Sequence, residues 1–156
     1  MKVLVFHIGH DRYGLPLRVV RRALPLVELK SLPLAPDSVA GLMNLHGESV
    51  PVIDLARISG GVPAQQHFDT RIILVDYFSP EDGQHGKPHA LALLAERVAG
   101  VQDVDDASLR PAGVRAAPFL GEVAGDVEGM VQLVELEHLL PAGLRALLFQ
   151  AEDSAS

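Results

Sequence analysis

Seven histidines and twenty acidic residues are the side chains here able to bind a metal or move a proton, and there is no cysteine. His7 and His10 stand three apart, but a turn at Gly9-His10-Asp11-Arg12 separates them. His85 and His89 stand four apart in a loop rich in Pro, Gly and charge. No helix aligns that pair and no neighbouring carboxylate completes a ligand shell. Asp54 and Glu135 each close an apolar strand, and paired carboxylates are the equipment of glycoside hydrolysis. The simpler role is to cap the turn or helix that follows, and we adopt it. Asp76 alternates with Val75 along a strand and is expected to be solvated. Gly9, Gly14, Gly60, Gly61, Gly83 and Gly86 form no phosphate loop. Ser38, Ser49 and Ser59 lack the strand-turn-helix setting of a nucleophile. The absence of cysteine removes disulfides, thiolate ligands and cysteine nucleophiles together. No catalytic residue, no cofactor and no metal site is expected.

Charge narrows the partners. The net charge is −7, and the densest basic cluster is Arg18, Arg21 and Arg22. That is too small for a nucleic-acid stripe, and the acidic balance disfavours anionic membrane surfaces. Val3-Leu4-Val5-Phe6 is too short for a signal-peptide core, and nothing approaches the ~20 apolar residues of a membrane span. A cytoplasmic location is expected. Hydrophobic residues make up 48% and aromatics only 4%, with no Trp. The core must be built from Val, Leu, Ile and Ala.

The elements read as mainly β. Lys2 to Ile8 is a β-branched strand, and Tyr13 to Val20 resumes apolar character with Pro16 inside it, which suggests an edge or a bulge. Leu24 to Pro36 holds three prolines and should be extended and irregular. Gly41 to Leu55 is a hairpin turning at His46-Gly47-Glu48, where Gly47 can supply a positive φ. Ser59 to Asp69 and Ser79 to Pro88 are polar connectors around the strand Thr70 to Phe78. Ala90 to Val98 has helical propensity, but its place in the repeat below favours strand, continuing to Val104. After the connector Pro111 to Pro118, Phe119 to Val123 and Met130 to Leu136 flank a turn at Gly125-Asp126-Val127-Glu128-Gly129. Leu136, Leu139, Leu140, Leu144, Leu147 and Leu148 recur at helical spacing and are read as a core-packing stripe. Pro141 must start a turn or split that segment. Residues 151–156 are expected to be a flexible tail.

The chain repeats itself loosely. Val3-Leu4-Val5-Phe6, Gly14-Leu15-Pro16-Leu17 and Val50 to Leu55 are answered by Ile72-Ile73-Leu74-Val75, Ala90-Leu91-Ala92-Leu93 and Val131 to Leu136. Two similar β-modules, closed as small barrels, would limit free sheet edges.

The order of several strings carries a family resemblance. Leu32-Pro33-Leu34-Ala35-Pro36, Val39-Ala40-Gly41-Leu42-Met43-Asn44-Leu45-His46-Gly47 and Val50-Pro51-Val52-Ile53-Asp54-Leu55 resemble the CheW family of bacterial chemotaxis coupling proteins. Tyr13-Gly14-Leu15-Pro16-Leu17, Thr70-Arg71-Ile72-Ile73, Val98-Ala99-Gly100-Val101, Gly129-Met130-Val131-Gln132-Leu133 and Leu136-Glu137-His138-Leu139-Leu140 extend it over nearly the whole chain. The resemblance implies two intertwined five-stranded SH3-like barrels with a short C-terminal helix, forming one domain over residues 1–150. It implies a non-catalytic adaptor that bridges chemoreceptor cytoplasmic hairpin tips to the regulatory domain of a CheA-type histidine kinase. Self-association into rings is compatible with that design.

Carried onto this chain, the resemblance places receptor or kinase contacts at Val20, Arg22, Gly41, Asn44, Leu45, His46 and Gly47, with Val98, Gly100 and Val101 as a second patch. Gly41 and Gly47 would act through backbone geometry. Three positions depart from the family's pattern. His46 and Ala56 stand where arginine is usual, and Arg22 stands where an acid is common. Arginine brings a permanent charge and a planar fork of donors that histidine lacks, so these departures favour a specialised, non-flagellar receptor–kinase set. Rival readings are a CheW-like scaffold that recruits a methyltransferase or response regulator, and a small β-barrel enzyme or ligand carrier. The last would need a polar pocket of converging acids, bases or ligands.

Overall fold

The computed structural model describes residues 1–66, 68–81, 86–113, 117–126 and 129–149. Among them are nine strands. They are β1 (Lys2–Ile8), β2 (Asp11–Pro16), β3 (Val20–Leu24), β4 (Val39–Leu45), β5 (Glu48–Asp54), β6 (Arg71–Tyr77), β7 (His89–Asp103), β8 (Leu120–Asp126) and β9 (Gly129–Val134). Two short helices follow strand ends or turns, α1 (Leu55–Ile58) and α2 (Ala142–Leu148).

The strands form two five-stranded, SH3-like barrels that share β7. One barrel runs β3-β6-β7-β5-β4 and the other β7-β1-β2-β9-β8. The first part of β7 pairs with β6 and β5, as in Leu74↔Ala92 and Val52↔Ala92. Its last part pairs with β1, as in Val5↔Gly100 and Lys2↔Asp103. The strand changes barrels near Arg97, whose φ is +48°.

The sequence repeat maps onto an exchange. β1 and β6 are equivalent, as are β5 and β9. Yet β5 lies parallel to β7, beside the second pass, and β9 lies parallel to β2, beside the first. Each half of the chain lends its last hairpin to the other half's barrel. Parallel neighbours require a long crossover, and the exchange supplies it.

Apolar runs follow from strands buried on both faces. Ile72 and Leu74 point into one barrel with Met43, Val50 and Val52. Ile73 and Val75, one residue out of phase, point into a larger core between the barrels with Leu4, Phe6, Ile53, Leu91 and Leu93. β1 divides in the same way, with Val3 and Val5 inside the second barrel and Leu4 and Phe6 between the two. Fully burying such a side chain contributes about 1.5–3 kcal/mol.

Several local expectations need correction. The first turn is only Gly9-His10, because Asp11 already pairs with Ile8. Pro16 does not mark an edge strand. β2 lies between β1 and β9, and Pro16 is tolerated because the ladder to β9 stops at Gly14. A 3-10 turn, Leu17–Val19, then breaks the apolar run before β3. Asp76 is half-buried and ion-paired, 2.8 Å from Arg21 Nε. The leucine-rich end splits at Pro141 into a 3-10 turn (Leu136–His138) and α2. Of its leucines, Leu136, Leu139, Leu140 and Leu144 are buried, while Leu147 is exposed. Residues 150–156, Gly83 and His85, residues 114–116 of the expected connector, and Val127-Glu128 of the expected turn lie outside the described residues.

Candidate protein-docking surface

The β4–β5 hairpin ends in a two-residue turn, His46-Gly47, with φ of +52° and +89°. Positive φ at both central positions gives the twist that two-residue hairpins need. Asn44 locks the turn, its Oδ1 accepting from the Gly47 N–H at 2.8 Å. Asn44, His46 and Gly47 are exposed and Leu45 is half-buried. These four form one projecting tip.

Gly41 is buried in β4, with φ +150°. A Cβ there would lie 2.6 Å from the Lys30 carbonyl oxygen. The missing side chain lets the segment after β3 cross over β4, held by two Lys30–Leu42 backbone hydrogen bonds of 2.8 Å. Gly41 therefore shapes the surface from beneath it.

Beside the tip lies a groove of about 530 Å3 lined by Glu28, Leu29, Lys30, Leu42, Asn44 and Ser49 among others. Leu42 and Ser49 also line a second groove of about 450 Å3, with Leu32, Leu34, Pro51, Leu147 and Leu148. The two make one continuous, partly apolar trough. Leu34 is fully exposed and has φ +66°. Such backbone strain in a bulky residue costs on the order of 1–3 kcal/mol and concentrates at functional sites. The site residues chosen from the sequence omit Leu32, Leu34 and Leu147. Their sequence signal was the proline-spaced leucine run and the far end of the C-terminal stripe.

The remaining candidates lie elsewhere. Val98, Gly100 and Val101 sit on the last part of β7, in the other barrel. Because β5 runs parallel to β7, the hairpin tip lies toward the His89 end, away from Gly100. Val20 and Arg22 sit on β3, across the first barrel's strand order from β4. His46 and Ala56 stand beyond opposite ends of β5, whose seven residues alone span roughly 20 Å at strand rise.

Groups considered for chemistry have structural uses. Asp54 accepts from the Ala56, Arg57 and Ala64 N–H groups at 3.0, 3.3 and 2.9 Å, which caps α1. His7 Nδ1 lies 3.0 Å from the Arg97 carbonyl oxygen, at the point where β7 changes barrels. Glu135, Glu137 and His138 bring one ligand atom each within 4.8 Å of one another, a grouping not picked from the sequence. Glu137 and His138 are exposed, and His138 Nε2 lies 3.9 Å from Glu135 Oε2. Glu135, unlike Asp54, does not fill the capping role expected of it: it stands at the N-cap of the turn that follows without a side-chain hydrogen bond to it.

Near the C-terminal end, Arg145 donates to Glu81 at 2.6 Å and to the Leu140 carbonyl at 2.7 Å. The hydrogen bond to Glu81 chiefly holds its guanidinium more firmly protonated than usual. Burial raises the Tyr77 hydroxyl pKa, with Arg145 opposing. Tyr77, Phe149 and His89 stack, with centroids 5.5 and 4.3 Å apart.

The family of CheW-like domains matches residues 2–143. This chain belongs to that family of adaptor and scaffold proteins. The chemotaxis protein CheW of Klebsiella aerogenes is 26% identical over 149 residues, 93% of this chain and 84% of its own. That of Rhizobium meliloti is 27% identical, over 90% of this chain and 88% of its own. The crystal structure of the scaffolding protein TtCheW from Thermoanaerobacter tengcongensis superposes with a TM-score of 0.78 at 27% identity, covering 92% of this chain and 94% of that one. No helix among the described residues is long and apolar enough to cross a membrane.

Proposed function

We propose that this chain is a non-catalytic adaptor that couples the cytoplasmic hairpin tips of chemoreceptors to a CheA-type histidine kinase. Holding the two at high local concentration raises signalling efficiency without any chemistry of its own. The observation that carries the reading is the match in sequence and fold, over nearly the whole length, to proteins named for chemotaxis and scaffolding. It operates in the cytoplasm, at arrays reached through its partners.

The contacts proposed are the tip residues Asn44, Leu45, His46 and Gly47, the trough beside them, Val20 and Arg22 on β3, and Val98, Gly100 and Val101 on β7. His46 in place of arginine, and Arg22 in place of an acid, select a receptor–kinase set of changed charge. The test is a pull-down of the tagged protein from its native lysate, identified by mass spectrometry and repeated with His46→Arg. Recovery of a receptor and a kinase supports the reading, with a change in their yield in the variant. Recovery of neither, from cells that express both, overturns it.

A further inference from the structure

Four strands bound the two barrels: β3 and β4 in one, β8 and the last part of β7 in the other. Three of these edges take a backbone partner from outside the strand ladders. Lys30 bonds both ways to Leu42 on β4 at 2.8 Å, and Arg110 bonds both ways to Val123 on β8 at 2.9 Å. Val98 on β7 donates to the Asp69 carbonyl at 3.0 Å. Among the described residues, β3 has no backbone partner beyond its ladder to β6 and the bond from Val20 N–H to the Leu17 carbonyl. An uncovered edge is a template for another strand.

Its side chains say which kind of strand. A register shift between Val20 and Arg22 leaves Arg21, Arg22 and Ala23 all exposed. Arg21 is held by Asp76, whereas Arg22 has no ion pair or side-chain hydrogen bond among the described residues. Arg18, before the strand, lines a cleft with Glu122, Glu135 and Glu137 and adds no net positive charge to this edge. Arg22 thus leaves one uncompensated positive charge on this edge, in a chain of net charge −7. Two copies meeting edge to edge at β3 would set arginine against arginine, which repels.

We propose that β3 is a docking edge for an extended acidic segment of a partner protein, which adds to the barrel as a further strand. Backbone hydrogen bonds to Val20–Leu24 supply the pairing, and Arg22 selects carboxylates. The inference rests on the reading that β3 faces a partner, and it requires an extended segment there, which the receptor's helical hairpin does not supply.

The test is an NMR titration of the 15N-labelled full chain with an alternating Glu/Val octapeptide. Controls are a Lys/Val octapeptide and the Glu/Val octapeptide with every amide N-methylated. Chemical-shift changes should concentrate in β3 and weaken with salt. The Lys/Val and N-methylated peptides should leave β3 unmoved. Arg22→Glu, an exposed substitution that leaves the core intact, should weaken binding about tenfold or more, the effect of roughly one lost charge contact. The proposal is overturned if β3 stays unmoved by Glu/Val, if Arg22→Glu or the N-methylated peptide binds equally well, or if β3 shifts with protein concentration alone, which would assign the edge to a second copy. The coupling role is tested separately, by the lysate pull-down. Peptide binding without receptor or kinase recovery sinks only the coupling role, and the reverse result sinks only the acidic strand.

Discussion

Gly41→Ala should be the most damaging single-methyl change in the hairpin. The backbone there has φ +150°, which a non-glycine residue adopts at a cost of about 1–3 kcal/mol. The new Cβ would also sit 2.6 Å from the Lys30 carbonyl oxygen and 3.0 Å from Leu29 Cβ. The nearest obstacle is backbone, so the overlying segment must move. That movement loosens the two Lys30–Leu42 hydrogen bonds, each worth about 0.5–1.5 kcal/mol. Together the loss comes to about 2–6 kcal/mol, a large part of a domain stability of about 5–15 kcal/mol. Urea unfolding followed by circular dichroism reads the total, and amide exchange at Lys30 and Leu42 reads the local opening. Two glycines calibrate the two costs. Gly47 has φ +89° and open space, so Gly47→Ala should lose only about 1–2 kcal/mol. Gly125 has neither strain nor a neighbour within 4 Å, so Gly125→Ala should be neutral within about 0.5 kcal/mol. A Gly41→Ala protein as stable as the unmodified chain, or less affected than Gly47→Ala, would refute the reasoning.

Asp54→Ala should cost about 2–4 kcal/mol in the same urea assay, because it orphans three amides that a buried carboxylate now satisfies. Tyr77 makes stability fall in alkali. Its folded pKa is raised from 10.0, so its contribution is fully present below about pH 10 and lost as pH rises through the raised value. Tyr77→Phe should reduce that loss in unfolding midpoints taken across pH 9–12, leaving the slope from Tyr13, whose pKa burial and Asp11 also raise. Because the halves exchange hairpins and share β7, thermal unfolding probed in each barrel should give one coincident transition. Two separate transitions would mean that the barrels fold independently. Gly47→Val should distort the tip and reduce receptor or kinase yield in the pull-down, and unchanged yield would remove the tip from the interface.

Much of this protein is legible in its sequence because strands and tight turns are local. Val/Ile runs such as Ile72-Ile73-Leu74-Val75 announce strands buried on both faces, and Gly47 after Asn44 announces a two-residue turn. Asp54 is readable as a cap because its partners lie two, three and ten residues away. The quoted strings were enough to reach the family, since they keep its order along the chain.

What tertiary structure decided is everything that depends on which strands become neighbours. The repeat shows two similar halves, but not that each half's last hairpin crosses to the other's barrel. That follows from the parallel pairing of β5 with β7 and β9 with β2, between segments some 40 and 120 residues apart. The same assembly paired Asp76 with Arg21, which no spacing could announce. It turned Leu34, from a run that reads as extended and irregular, and Leu147, from a stripe that reads as core, onto one groove. It also divided the candidate contacts among a hairpin tip and two edge strands. Alternation along a strand tells which residues share a face; only the assembled barrels determine which face meets solvent.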